Sequence, residues 1–185
     1  MKKPYNQIYS SRRLIIRAFK LKDFLKWSEA MASRSKPVDK FDYGPIPKKY
    51  LTKAAFQKRL RAHQKAAEKD ECYIFGIFEK KSGDHLGNIS IYILQRNPMQ
   101  WANLGYHIHN HQRGRGYAKE SAKLLLKVAF ESFGLQRIEA VMEKDHKASI
   151  AIAKAAGMKK ECVRKHFLPT EHGKWVDGLV YTAVR

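Results

Sequence analysis

Arg113-Gly114-Arg115-Gly116-Tyr117-Ala118 lies between an apolar, strand-like run, Trp101 to Ile108, and a helical run that begins near Tyr117 and continues to Phe133. A glycine turn that leaves a strand and opens a helix offers backbone N–H groups to an anion, and the helix dipole adds favourable potential there. Gly114 and Gly116 let the backbone approach a phosphate and permit a positive φ. Arg113, Arg115 and Lys119 set cations around the same turn. The stretch therefore predicts a phosphate-binding turn, and two familiar kinds are excluded. A dinucleotide loop needs a third glycine where Lys119 stands, with an acidic residue after a second strand, and a Walker loop needs a Gly-Lys-Ser/Thr ending.

Upstream of the turn, Arg12 to Ala18 is rich in β-branched residues and predicts a strand, after a basic start over residues 1–11 expected to be mobile. Phe24, Trp27 and Met31 repeat with helical spacing, so Lys22 to Ser33 predicts an amphipathic helix. Arg34 to Lys49 carries Pro37, Gly44, Pro45 and Pro47 and predicts a long irregular connection, a kind that is often functional. Thr52 predicts the N-cap of a helix to about Glu68, with Ala55, Phe56, Leu60 and Ala67 inward and Lys53, Lys58, Arg61 and Lys65 outward. Cys72 to Phe78 and Leu86 to Leu94 predict an antiparallel hairpin across Ser82-Gly83-Asp84.

Downstream, Ala122, Leu125, Ala129 and Phe133 mark the buried stripe of the helix that follows the turn. Arg137 to Met142 predicts a strand, Lys147 to Ala156 a helix, Met158 to Phe167 a strand, His172-Gly173 a turn and Trp175 to Val184 a last strand. The strands before and after the turn can then run parallel, joined by a crossover helix. If their ends part, a crevice opens for a linear cofactor.

The 185 residues fit one domain over residues 1–185. Cys72 and Cys162 sit in apolar strand-like runs and are expected as buried free thiols of a reducing cytosol. No apolar run approaches membrane-spanning length, and the chain is expected in the cytoplasm, away from membranes. With 37 Lys and Arg against 17 Asp and Glu, the net charge of +20 favours a polyanionic partner, ribosomal RNA among them. No nucleic-acid-binding motif accompanies the charge, so electrostatic association is the stronger expectation. His107, His109 and His111 alternate along one strand, but no carboxylate or cysteine joins them, and Arg113 and Arg115 would oppose a metal ion. Trp27, Trp101 and Trp175 are expected in the core or on cleft walls.

Arg113 to Ala118 resembles the acetyl-coenzyme A pyrophosphate loop, Gln/Arg-x-x-Gly-x-Gly/Ala, of the GCN5-related N-acetyltransferases. Leu104-Gly105-Tyr106, Glu120, Ser149, Ala156-Gly157-Met158 and Gly173-Lys174-Trp175-Val176-Asp177 extend the likeness toward the bacterial ribosomal-protein N-terminal acetyltransferases of the RimJ and RimL type. The resemblance implies an α/β acyl-CoA N-acyltransferase fold: a mixed, mostly antiparallel sheet flanked by helices, with strands splayed at the cofactor site. It implies acetyl transfer from acetyl-coenzyme A, without a metal, to a protein amino terminus, with a ribosomal protein as the expected acceptor, by direct attack in a ternary complex. Members of the superfamily also acetylate small amines, antibiotics or lysine side chains. A reading of another class is a non-catalytic protein that associates with the ribosome or RNA on the same scaffold.

By the same resemblance, Ile108, His109 and Asn110 hold the acetyl and pantetheine portions through backbone groups, and Arg113, Gly114, Arg115, Gly116, Tyr117 and Ala118 hold the phosphates. Ser149 matches the serine of an Asn-x-x-Ser motif and is a candidate proton donor to the thiolate; it reads equally as a helix-start residue. His146 replaces that motif's asparagine, and an imidazole can still hydrogen-bond there. No acidic residue stands in Trp101 to Ile108, where some acetyltransferases place a base. Glu139, Glu143, His107, His109 and His166 are candidates, and the base is unassigned. An α-amine, with a reference pKa of about 7.7–8, needs less help than lysine at about 10.4.

Overall fold

A computed structural model describes residues 4–170 and 173–185. Alternating apolar residues build eight strands that join in one sheet in the order β1-β2-β3-β4-β5-β6-β8-β7. These are β1 (Ile8–Ser10), β2 (Leu14–Arg17), β3 (Cys72–Glu79), β4 (His85–Gln95), β5 (Trp101–Ile108), β6 (Arg137–Glu143), β7 (Lys159–Pro169) and β8 (Trp175–Val184). Every neighbouring pair is antiparallel except β5 and β6, which run parallel. That exception follows from the crossover helix between them, because only such a connection returns a chain to start a parallel neighbour.

Four helices cover the sheet: α1 (Phe24–Ala32), α2 (Lys53–Glu68), α3 (Tyr117–Glu131) and α4 (Lys147–Ala155). On one face, Leu125, Leu126 and Ala129 of α3 and Ala153 of α4 bury against Ile89, Ala102, Leu104, Ile138 and Met142. On the other, Trp27 and Met31 of α1 and Phe56 of α2 close a smaller cluster with Phe19, Leu51 and Phe78. The Thr52 hydroxyl accepts a hydrogen bond from the Ala55 amide and caps α2 as expected. That helix buries His63 rather than Ala55, which is exposed.

Pro4–Asn6 forms a 3-10 turn that buries Tyr5, and β1 pairs with β2 through Tyr9 and Ile16. A three-residue strand leaves too little periodicity to be read from sequence. Cys72 is buried, but Cys162 is exposed because β7 is the edge strand and its side chains gain little cover. Trp175 is likewise 57% exposed on that hairpin, neither core nor cleft wall. The turn expected at His172-Gly173 lies partly outside the described residues. None of the described helices is long and apolar enough to cross a membrane.

Candidate active site

The parallel strands pair over only three residues, Trp101↔Arg137, Ala102↔Ile138 and Asn103↔Glu139, and then part. Beyond that point β5 continues to Ile108 with β4 as its only partner, Gly87↔Ile108 being the last pair. A cleft of about 560 Å³ fills the split. Successive side chains of a strand point to opposite faces. Because Tyr106, His107 and Ile108 all line the cleft, it must pass through the plane of the sheet.

One end of the cleft is the glycine turn. Gly114 and Gly116 both have φ of +78°, the left-handed region that the turn requires and that other residues enter only with strain. Gly116 is the N-cap of α3 and supplies no side-chain cap, so the first-turn amides of Tyr117, Ala118 and Lys119 lack intrahelical partners. The turn is held from behind by Arg13, whose Nη1 donates to the Arg115 carbonyl at 2.9 Å and whose Nε donates to Glu120 at 2.7 Å. Glu120 also accepts from Ser11 Oγ and the Arg13 amide, and these donors hold its carboxyl below the usual range against burial.

In the middle of the cleft, the Tyr106 hydroxyl lies 2.8 Å from Ser149 Oγ and 3.0 Å from the Ser149 carbonyl. Ser149 is 8% exposed in the first turn of α4, so strand β5 and helix α4 meet across the split through this pair. Burial raises the Tyr106 pKa and keeps the phenol protonated.

The long connection from residue 34 to residue 47 straps the mouth of the cleft. On the β5 side, the Ser35 amide donates to Asn110 Oδ1 and Asn110 Nδ2 donates to the Ser35 carbonyl, both at 2.8 Å. Arg113 pairs with the buried Asp42 carboxylate at 3.0 Å. On the far side, Lys40 pairs with Glu143 at 2.6 Å and Asp145 at 2.8 Å, and Phe41 stacks face to face on His146 with ring centres 3.9 Å apart. The strap thus joins the two strands that the sheet has let go. Sequence gave its length and irregularity; these tertiary ties leave no local signal.

Beneath the strap lies a chain of buried histidines. Arg34 Nε donates to His109 Nδ1 at 3.0 Å, which leaves the His109 proton on Nε2, 3.1 Å from His85 Nδ1. His85 then donates from Nε2 to Asn88 Oδ1 at 3.2 Å. Burial depresses the His85 and His63 pKa values to about 4, and the His109 value falls further under burial and the neighbouring His85 and Arg34. Their folded-state values lie below the unfolded reference of about 6.5, so the unfolded chain binds more protons between pH 6.5 and 4. Stability should be complete above about pH 6.5 and should drain as pH falls toward 4, by on the order of 3 kcal/mol for each of His63 and His85. Thermal melts from pH 7.5 to 4.5 check this, and a flat melting temperature would contradict it.

The expected site residues fall into two groups. Ile108, Arg113, Gly114, Gly116, Tyr117, Ala118, His146 and Ser149 line the cleft. His109, Asn110 and Arg115 do not. His109 is fully buried and its amide donates to Leu86, Asn110 is tied to the strap, and the Arg115 side chain acts on Tyr117 and Glu79. The sequence reading passed over Tyr106 as a functional group, as well as Phe41 and Tyr43 of the strap. Glu139 is buried between Arg137 and Arg164, 2.8 Å from each, and Glu143 is held by Lys40. His166 sits at φ +47° on the β7 edge, outside the cleft. Among the described residues no three His, Cys, Asp or Glu side chains gather as a metal site.

The fold superposes on RimJ of Mycobacterium smegmatis in complex with CoA-disulfide with a TM-score of 0.80 at 18% identity, covering 100% of this chain and 90% of that one. It superposes on the ribosomal-protein-S5-alanine acetyltransferase of Vibrio fischeri with a TM-score of 0.74 at 18% identity, over 96% of each chain. The mixed eight-stranded sheet with its split at β5 and β6 is therefore the acetyltransferase fold. The family model described as acetyltransferase (GNAT) domain matches residues 13–159. A Bacillus subtilis protein named probable N-acetyltransferase YjcK is 31% identical over 131 residues, 71% of this chain and 72% of that protein. The chain belongs to the GNAT family and is an acetyl-coenzyme A-dependent N-acetyltransferase.

Proposed function

We propose that this chain transfers the acetyl group of acetyl-coenzyme A to the α-amine of a protein amino terminus, with ribosomal proteins as the first candidates. The observation that carries the reading is the through-sheet cleft: an anion-binding turn at one end, the Tyr106–Ser149 pair at its middle and a strapped mouth beyond. The residues fit the cofactor. Unspent first-turn amides, two left-handed glycines and the cations of Arg113 and Lys119 suit its phosphates, and Ile108 and Ile152 give its slender arm an apolar wall.

Tyr106 and Ser149 do the work at the sulfur. When Tyr106 donates to Ser149 Oγ, the serine's own hydrogen is free to turn into the cleft and meet the departing thiolate. On the acceptor side Glu139 and Glu143, the carboxylates of β6, are both engaged by basic side chains. This suits an α-amine, of which a useful fraction is neutral near pH 7.5, better than lysine. The fold's likeness to a ribosomal-protein acetyltransferase supports the acceptor class. The charge of +20 supports electrostatic association with ribosomal RNA as a means of reaching such a substrate.

Calorimetry at moderate salt tests the cofactor half. Acetyl-coenzyme A should bind saturably where ATP, an equally anionic control, does not; equal binding of both, or of neither, would refute a dedicated site. Competition among amino-terminal peptides, lysine peptides and polyamines tests the acceptor half, and turnover of lysine or polyamine alone would overturn it.

A further inference from the structure

We propose that Asp39 of the strap receives the acceptor amine in its ammonium form and so selects a cationic acceptor for the cleft. Resting on the transfer reading above, this gives the acceptor its charge partner.

Asp39 is exposed and lines the cleft, and among the described residues it is the only carboxylate that does. Its Oδ1 accepts from the Phe41 amide at 2.8 Å, while its Oδ2 takes no hydrogen bond from a described residue and no cation pairs with it. In a chain with 37 Lys and Arg against 17 Asp and Glu, an acid left without a cation is the exception. Asp42 pairs with Arg113, and Lys40 pairs with Glu143 and Asp145. Those ties, with the stack of Phe41 on His146, fix the turn on which Asp39 sits. Among the charges acting on the His146 ring, that of Asp39 is the largest. His146 is the N-cap of α4 and Ser149 stands in its first turn, so the carboxylate lies beside the end of α4 that carries the serine. The other candidates are shut away or engaged. His107 Nε2 is closed to solvent, Glu139 lies between Arg137 and Arg164, Glu143 holds Lys40, and Asp42 is buried on Arg113.

The cleft takes two ligands of opposite charge. The cofactor is anionic, and a carboxylate beside its phosphates would repel it; the acceptor is cationic before it reacts. At pH 7 an α-amine, with a reference pKa of about 7.7–8, is mostly ammonium, and a lysine at about 10.4 is almost wholly so. Lys119 and the unspent first-turn amides of α3 suit the one, and Asp39 suits the other. An ammonium donates a charge-assisted hydrogen bond to a carboxylate, and the Oδ2 that the Phe41 amide leaves open can accept it. Because Asp39 is exposed, water reaches the same nitrogen and can carry off the proton it must lose before its lone pair attacks.

The test is Asp39→Asn, which keeps an oxygen for the Phe41 amide and removes only the charge, assayed on whichever amine the wild-type chain acetylates fastest. At pH 7 the KM for that amine should rise about tenfold, with kcat and acetyl-coenzyme A affinity within about threefold of wild type. The gap between variant and wild type should close as pH rises through the acceptor's own pKa, because a neutral amine brings no charge to pair. For an α-amine it closes above about pH 8, and for a lysine not until about pH 10.4. A mistaken acceptor class therefore moves the pH at which the gap closes and leaves the gap itself in place. A KM within about twofold of wild type at pH 7, or a gap that does not change with pH, would overturn the proposal. So would a lowered melting temperature with unchanged KM, which would leave Asp39 as a partner of the α4 dipole alone.

Discussion

Gly87→Ala should lower the melting temperature by roughly 6–12 °C and take catalysis with it. A Cβ built on Gly87 would stand 2.1 Å from the His107 carbonyl oxygen and 2.9 Å from the Ile108 Cα. Both are backbone atoms of a paired strand, so neither can rotate aside as a side chain would. Relief requires β4 and β5 to separate at their last pair, Gly87↔Ile108, at a cost of about 3 kcal/mol or more. The displaced segment is the cleft wall that carries Tyr106 and His107, so residual folded protein should also turn over slowly. Gly114→Ala makes a good control. Its added Cβ meets nothing within 4 Å, and only the positive φ is strained, at about 1–2 kcal/mol. Equal melting temperatures for the two variants would show that the β4–β5 approach is not as close as described.

Ser149→Ala should cut kcat about 10²-fold or more with little change in acetyl-coenzyme A affinity, because in the role proposed for it the hydroxyl acts on the sulfur only as the C–S bond breaks. Tyr106→Phe should fall in the same direction, since it removes the hydroxyl that lies 2.8 Å from Ser149 Oγ and holds its orientation. If the two hydroxyls work as one relay, the double variant should lose little beyond the worse single one. Losses that multiply would separate the roles of the two groups. A Ser149→Ala enzyme with unchanged kcat would reduce Ser149 to a helix-start residue, the other sense in which its position can be read.

What was legible in the sequence was local. The strand, glycine turn and helix around Arg113 to Ala118 announced themselves because turn chemistry and helix periodicity are written in neighbouring residues, and the crossover then fixed the one parallel pair. Gly114 and Gly116 take the positive φ their positions suggested. The illegible parts depend on partners far along the chain. Whether Arg113 or Arg115 faces the cleft turns on Asp42 and Glu79, 71 and 36 residues away, and no local pattern orders them. Tyr106 gained meaning only when α4 brought Ser149 to it across 43 positions. The ties of His109 to Arg34 of the strap and to Leu86 of β4 likewise leave no local signal. Cys162 and Trp175 misled because apolar alternation marks a strand without saying that it lies at a sheet edge.

The three-pair junction of β5 and β6 divides the sheet into two plates, β1 to β5 and β6 to β8, bridged by few backbone hydrogen bonds. Mechanical load and thermal motion should concentrate along that seam. Small rotations of one plate against the other widen or narrow the cleft without melting either. Amide exchange should show it as a line of early deuterium uptake in the β6 amides beyond Glu139 that face β5, while the β6–β8 and β3–β4 ladders on either side stay protected. A ligand lying in the cleft would then act as a splint across the two plates, slowing exchange on both sides of the seam together.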